Sequence, residues 1–282
     1  MNRILTAVLA SIVTRDVGTS LAEHPPGGAR RWRRRNFRGR EVSLLGGIAA
    51  ATGALTGAVA TGGPAGLGAT VVVASGGLLG AIDDADTTAT SKGLRGHLRA
   101  LRRGEITTGL LKLVGISAAA VTAAAVSTQG GRRGGRHGAT PNFPTRVIDV
   151  LGSGMLIAGT ANLVNLFDLR PGRALKVVGL VCAPLSLARG ASGRLATAGL
   201  ATVACSWRGD VDEETMLGDA GANALGALAG MSLAQLRSPR MRALATCAVV
   251  GLVFASERVS FSRVIDSTPG LRELDAWGRA PE

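Results

Sequence analysis

Acidic residues stand at the edges of apolar stretches at three places in the chain. Asp83 and Asp84 directly follow one stretch, Asp168 follows another, and Asp219 precedes a third. A carboxylate at a membrane boundary is costly unless it is hydrated, paired or bound to a cation. Lys92, Arg95 and Arg99 lie shortly beyond the first pair. Hard oxygen ligands beside basic side chains could hold a divalent cation such as Mg2+ against a diphosphate. Asp210, Asp212, Glu213 and Glu214 read instead as ordinary solvated helix ends. Cys182, Cys205 and Cys247 sit far apart in apolar segments, and His24, His97 and His137 are scattered. Neither set has metal-ligand spacing, so no zinc site is expected.

The elements that must carry these acids are apolar on every face. Of 282 residues, 46% are hydrophobic and only 18% charged, against about 25% charged in an ordinary soluble domain. About 20 apolar residues cross the hydrocarbon of a bilayer. Long apolar stretches lie near 43–62, 64–82, 113–131, 150–167 and 211–236, the last broken by acids at its start, and shorter or more interrupted ones near 174–188, 193–207 and 243–256. Residues 1–13 read as a short or truncated first helix. A soluble alanine-rich bundle would need polar outer faces that these segments lack. The expected fold is therefore all-α, a single polytopic membrane domain over residues 1–282 with about eight or nine transmembrane helices. Small residues such as Gly53, Gly57 and Ala60, or Gly221, Leu225 and Ala229, suit close helix packing.

The net charge of +13 would suggest nucleic acid in a soluble protein. Here the arginines crowd into the loops between apolar blocks. If residues 14–42, with Arg30, Arg31, Arg33, Arg34, Arg35, Arg38 and Arg40, face the cytoplasm, alternation puts 83–108, 162–173, 208–219 and 257–282 on the same side. Residues 129–146, 189–194 and 237–242 then fall on the other. Most lysines and arginines lie on the first side, as the positive-inside rule requires. All three acidic sites share that side. Lys112, at the start of a span, reads as an interfacial side chain.

The loops resemble those of glycosyltransferase family 4, the polyprenyl-phosphate sugar-1-phosphate transferases that include phospho-N-acetylmuramoyl-pentapeptide transferase. The family's Asp-Asp pair with a following basic Gly-Leu segment is matched by Ile82-Asp83-Asp84 and Lys92-Gly93-Leu94-Arg95-Gly96-His97-Leu98-Arg99. Its N-x-x-N-L-x-D-G-L-D-G motif is matched by Asn162-Leu163-Val164-Asn165-Leu166-Phe167-Asp168-Leu169-Arg170-Pro171-Gly172. Its G-D-x-G-S/A helix start is matched by Gly218-Asp219-Ala220-Gly221-Ala222. A looser match, to its first cytoplasmic loop, runs through Arg38-Gly39-Arg40 to Gly46-Gly47.

The resemblance implies transfer of a sugar-1-phosphate from a nucleotide-diphosphate sugar to a polyprenyl phosphate in cell-envelope glycan synthesis. The cleft would open on the cytoplasmic face of a bacterial plasma membrane. It implies Asp219 as a Mg2+ ligand and Asp83, Asp84 and Asp168 as catalytic acids. It makes Asn162, Asn165, Lys92, Arg95, Arg99 and Arg38 substrate contacts. Partners are the lipid and the nucleotide sugar, not nucleic acid, and a homodimer is left open. The chain departs from the family at Pro171, which stands where the family has its second aspartate, and Arg170 and Arg173 add positive charge there. Residues 257–282 hold no histidine where the family has a histidine-containing loop, and no tenth helix follows; they read as an interfacial or cytoplasmic tail. These departures leave an alternative, a catalytically inactive relative acting in cell-envelope assembly or regulation.

Overall fold

In the computed structural model, residues 2–85, 102–104, 107–130 and 143–279 are described. Helix α1 spans Arg3–Glu23. A short 3-10 turn, Ala29–Trp32, leads into strand β1, Arg33–Arg35, and strand β2, Glu41–Ser43. Helices α2 (Leu45–Thr61), α3 (Gly63–Ala85), α4 (Thr108–Gly130), α5 (Phe143–Phe167), α6 (Arg173–Ser186), α7 (Ala191–Val211), α8 (Gly218–Ala234) and α9 (Pro239–Ser256) follow, then the short helices α10 (Phe261–Ser267) and α11 (Leu271–Ala276). The all-α expectation holds apart from the small hairpin.

Five helices among the described residues are long and apolar enough to cross a membrane: α1, α3, α4, α5 and α9. Exposed Leu244, Leu252 and Phe254 on α9, and Ile148, Leu151 and Met155 on α5, leave an apolar surface that water would not favour. This suggests a membrane protein. The set of long helices differs from the expected one in two ways. Residues 3–13 are part of a longer helix that continues through Arg15 and Asp16, both exposed, while Ala10 and Thr14 pack inward. The expected stretch 211–236 does not form one helix. The Asp210 and Gly209 region ends α7, where the Glu214 and Thr215 amides both turn back to the Gly209 carbonyl, and Glu213 takes a left-handed φ of 59°. Helix α8 begins only at Gly218, and at 17 residues it is short for a span.

Helix α8 is the axis of the bundle. Its residues from Ala220 to Ser232 are buried, and α2, α3, α5, α6 and α7 pack around it. Such closeness requires glycine where backbones cross. A Cβ at Gly47 of α2 would collide with the Leu217 carbonyl oxygen, and one at Gly80 of α3 would collide with that of Asp219. Gly226 of α8 meets Ala161 and Thr160 of α5 in the same way.

The hairpin pairs Arg33 with Ser43, Arg34 with Val42 and Arg35 with Glu41. Ser43 extends it by one parallel bridge to Thr215. The hairpin is thereby tied to the loop before α8, at the end of the bundle where α3 finishes, α4 begins and α7 finishes. At the opposite end, Arg3 donates to the carbonyls of Ser186 and Ala188, at 2.8 and 2.5 Å.

These crossings give a test. Gly47→Ala should destabilise the protein by about 1–3 kcal/mol or more, because the Leu217 backbone cannot give way. Gly251→Ala, with open space around it, should be neutral or mildly stabilising. Thermal unfolding in detergent, with membrane abundance alongside, measures both.

Candidate active site

The first amides of an α-helix have no helical acceptor and need one from elsewhere. At the start of α8 the preceding residue is Leu217, which has no capping side chain. Asp84 supplies what is missing from the last turn of α3. Its two carboxylate oxygens accept from the backbone amides of Asp219, at 3.0 Å, and Ala220, at 2.9 Å. The negative charge also sits at the positive end of the α8 dipole. The absence of a side chain at Gly80 lets α3 come close enough for this contact. Arg34 from the hairpin donates to the Asp84 carbonyl, so the end of α3 is held on both sides.

Asp83, the preceding residue, faces α4. Lys112 Nζ donates to Asp83 Oδ2 at 2.6 Å and to Asp219 Oδ2 at 2.5 Å. One ammonium thus bridges two of the three acidic motifs. Its side chain is 16% exposed, which corrects the interfacial reading: the amine points into the acid cluster. A lysine one turn inside an apolar helix needs a partner, and that was the available signal for this residue.

Asp168 lies just beyond α5, its amide donating to the Asn165 carbonyl at 3.1 Å. Its carboxylate takes the Gly218 amide, the next donor at the start of α8. Burial pushes its carboxyl well above the ordinary carboxylate range, the nearby charges of Asp210, Asp219 and Asp84 push the same way, and the Gly218 hydrogen bond opposes them. Asp84, Asp168 and Asp219 therefore meet at one helix start, as expected from the motif order. Asn162 and Asn165 stand on the last turns of α5, half-buried. Their side chains make no hydrogen bond among the described residues.

Two acids read as solvated helix ends are not. Asp210 is 4% exposed and accepts from the Gly172 amide at 2.5 Å and from the Leu217 amide. Glu213 is 7% exposed and binds Arg38 at 2.7 Å and Arg40 at 3.5 Å, with Asn36 also donating to it. The Arg38 guanidinium is thus directed at Glu213, joining the first loop to the loop before α8. Lys92, Arg95 and Arg99 lie outside the described residues.

Pro171 and Gly172 form the turn into α6, with Gly172 in the left-handed region at φ 73°. Arg173 is not free to meet a ligand. Its guanidinium makes two 2.7 Å bonds to Asp275 of α11. Burial raises the Asp275 carboxyl, but hydrogen bonds from Arg173 and Arg279 outweigh it and hold it below the usual range. That pairing contributes stability above the ordinary carboxylate range and loses it as pH falls through the lowered value.

No protein-family model matches the chain, and no curated protein matches it. Fold and site define a helical protein with five membrane-length helices among the described residues and a charged cluster built around the start of α8.

The bridge through Lys112 gives a second test. Lys112→Met leaves two carboxylates facing each other without a cation, at a cost of about 1–3 kcal/mol. Asp219→Asn in the same chain removes one of them, so the double variant should unfold above the sum of the single losses. Strict additivity in thermal unfolding would mean that Lys112 does not bridge the pair.

Proposed function

We propose that the protein transfers a sugar-1-phosphate from a nucleotide-diphosphate sugar to a polyprenyl phosphate, with Mg2+, in a bacterial plasma membrane. In this reading about eight or nine helices cross the membrane, α2, α6, α7 and α8 joining the five that are long and apolar enough by themselves. The acid cluster opens on the cytoplasmic side, where the arginine-rich hairpin lies. The observation that carries the reading is the position of Lys112 between Asp83 and Asp219, two carboxylates around one cation in the company of Asp84 and Asp168.

The donor set fits Mg2+. That ion usually takes one or two carboxylates and completes its shell with water and substrate phosphates. Asp83 and Asp219 already put one oxygen each on a single positive centre. Bound there, Mg2+ would offset charge on the diphosphate and the leaving nucleoside monophosphate.

The chain's own residues would do the rest. The acceptor phosphate oxygen attacks the sugar-bearing phosphorus, and the bond to the nucleotide phosphate breaks. A phosphate monoester has its second pKa near about 6 and is largely ionised at neutral pH, so alignment matters more than a general base. Lys112 is placed to bear on the diphosphate charge once a metal takes its two carboxylates. Asp84 is engaged at the start of α8 and acts by positioning Asp219. Asn162, Asn165 and Asp168 line the side where the nucleotide would sit.

One observation favours a second reading. Lys112 satisfies Asp83 and Asp219, Glu213 satisfies Arg38, and Asp275 satisfies Arg173 without any ligand. Together with Pro171 this suits a non-catalytic relative acting in cell-envelope assembly or regulation.

The test is to incubate the purified protein with Mg2+, polyprenyl phosphate and a panel of nucleotide sugars. A lipid-linked sugar phosphate is expected, with Asp219→Asn reducing the rate by about 10²–10³-fold at normal abundance. No product from any donor, with Asp219→Asn still functional in cells, would instead support the second reading.

A further inference from the structure

The loop from Asp168 to Gly172 carries one of the site acids, yet it has few internal restraints. It is held from the inside by Asp210, which accepts the Gly172 amide, and by the Gly218 amide on Asp168. Arg170 also stacks on Phe37 of the hairpin, 4.4 Å from the ring centroid, and four further contacts come from the segment after α9. Phe261 stacks on Phe167 with ring centroids 5.0 Å apart. Asp266 pairs with Arg170 at 3.1 Å. Arg279 Nε donates to the Pro171 carbonyl at 2.8 Å. Lys176 donates to the Asp275 carbonyl at 2.6 Å.

One side chain is the hub of this arrangement. Asp275 is 8% exposed although it belongs to a helix whose other residues face solvent. It accepts from two of the three nitrogens of Arg173, Nε and Nη2, and lies 2.8 Å from Arg279 Nη2. Arg173, the first residue of α6, is 3% exposed, and Ser262 takes its remaining nitrogen at 2.8 Å. A buried arginine without its acid is strongly unfavourable, so this pair decides whether the segment stays down. Trp277 packs beside Trp207 at 5.6 Å and closes the same edge.

We propose that Asp275 is a positioning residue of the site: by holding Arg173 and Arg279 it fixes the loop 168–172 and keeps the Asp168 carboxylate at the start of α8. Its effect on transfer rests on the transferase reading; its hold on the loop does not. The segment 260–279 is in this sense a wall of the site. Proline at position 171 suits the arrangement, since its carbonyl is used by Arg279 and it has no amide that would need a partner.

Hydrogen exchange in nanodiscs tests the hold without any assay of activity. In Asp275→Asn, the peptide covering 168–173 should exchange at least about tenfold faster than in the parent, as a local opening, while α2 keeps its protection. If Asp275→Asn does not accumulate in membranes, Arg279→Gln carries the test, because it removes the Pro171 link and leaves the Arg173 pair in place; it should raise exchange in the same peptide. Unchanged exchange at 168–173 in the variant that accumulates would overturn the proposal. So would a rise spread equally over α2. In the donor panel, the Asp275 variant should lose turnover with little change in KM for the lipid acceptor. A panel with no product in the parent would count against the transferase reading alone and leave the exchange result standing.

Discussion

The backbone amides of Asp219 and Ala220 find their acceptor on another helix, in the Asp84 carboxylate. Helix α8 lies in the middle of the bundle, and its first amides are partly buried and take carboxylates as their acceptors. Leaving such donors unpaired costs about 1–3 kcal/mol each. The requirement propagates outward. Asp84 must come close, so α3 needs Gly80; Leu217 must pass α2, so α2 needs Gly47. The Gly218 amide takes Asp168 and the Leu217 amide takes Asp210. Three carboxylates are thus drawn to one helix start by its unpaired donors, and α8 adds a fourth in Asp219.

Buried charge requires compensation, and the fold provides it in three separate units. Lys112 serves Asp83 and Asp219. Arg38 and Arg40 serve Glu213, fastening the hairpin to the loop before α8. Arg173 and Arg279 are served in turn by Asp275, fastening α10 and α11 over the turn into α6. The first unit lies at the meeting point of the acids and can exchange its cation for a metal and phosphates. The other two join chain segments, which fits them for holding the site in shape.

Part of this is legible in the sequence, for definite reasons. An acid at the end of an apolar helix marks a boundary, and Asp84, Asp168 and Asp219 all stand at such boundaries. The position of Lys112 one turn inside an apolar helix signals that it needs a partner, but its partners lie 29 and 107 residues away and cannot be read locally. Asp210 and Glu213 were hidden among Asp212 and Glu214, which are exposed; only the left-handed turn at Glu213 sorts inward from outward. The hairpin was missed because strands of three residues, one of them all arginine, carry no alternating apolar pattern. The first helix was cut short at Arg15 and Asp16, which simply face outward.

The central claim is that the loops bearing the hairpin, Asp168 and the start of α8 gather at one end of a membrane-embedded bundle. Labelling with an impermeant maleimide tests it most directly, using single cysteines in a chain whose three native cysteines are replaced. Arg35→Cys, Leu169→Cys and Glu214→Cys, all at exposed positions, should react from the same side of sealed vesicles, and Arg240→Cys only from the other. Reaction of Leu169→Cys or Glu214→Cys together with Arg240→Cys, and apart from Arg35→Cys, would contradict it.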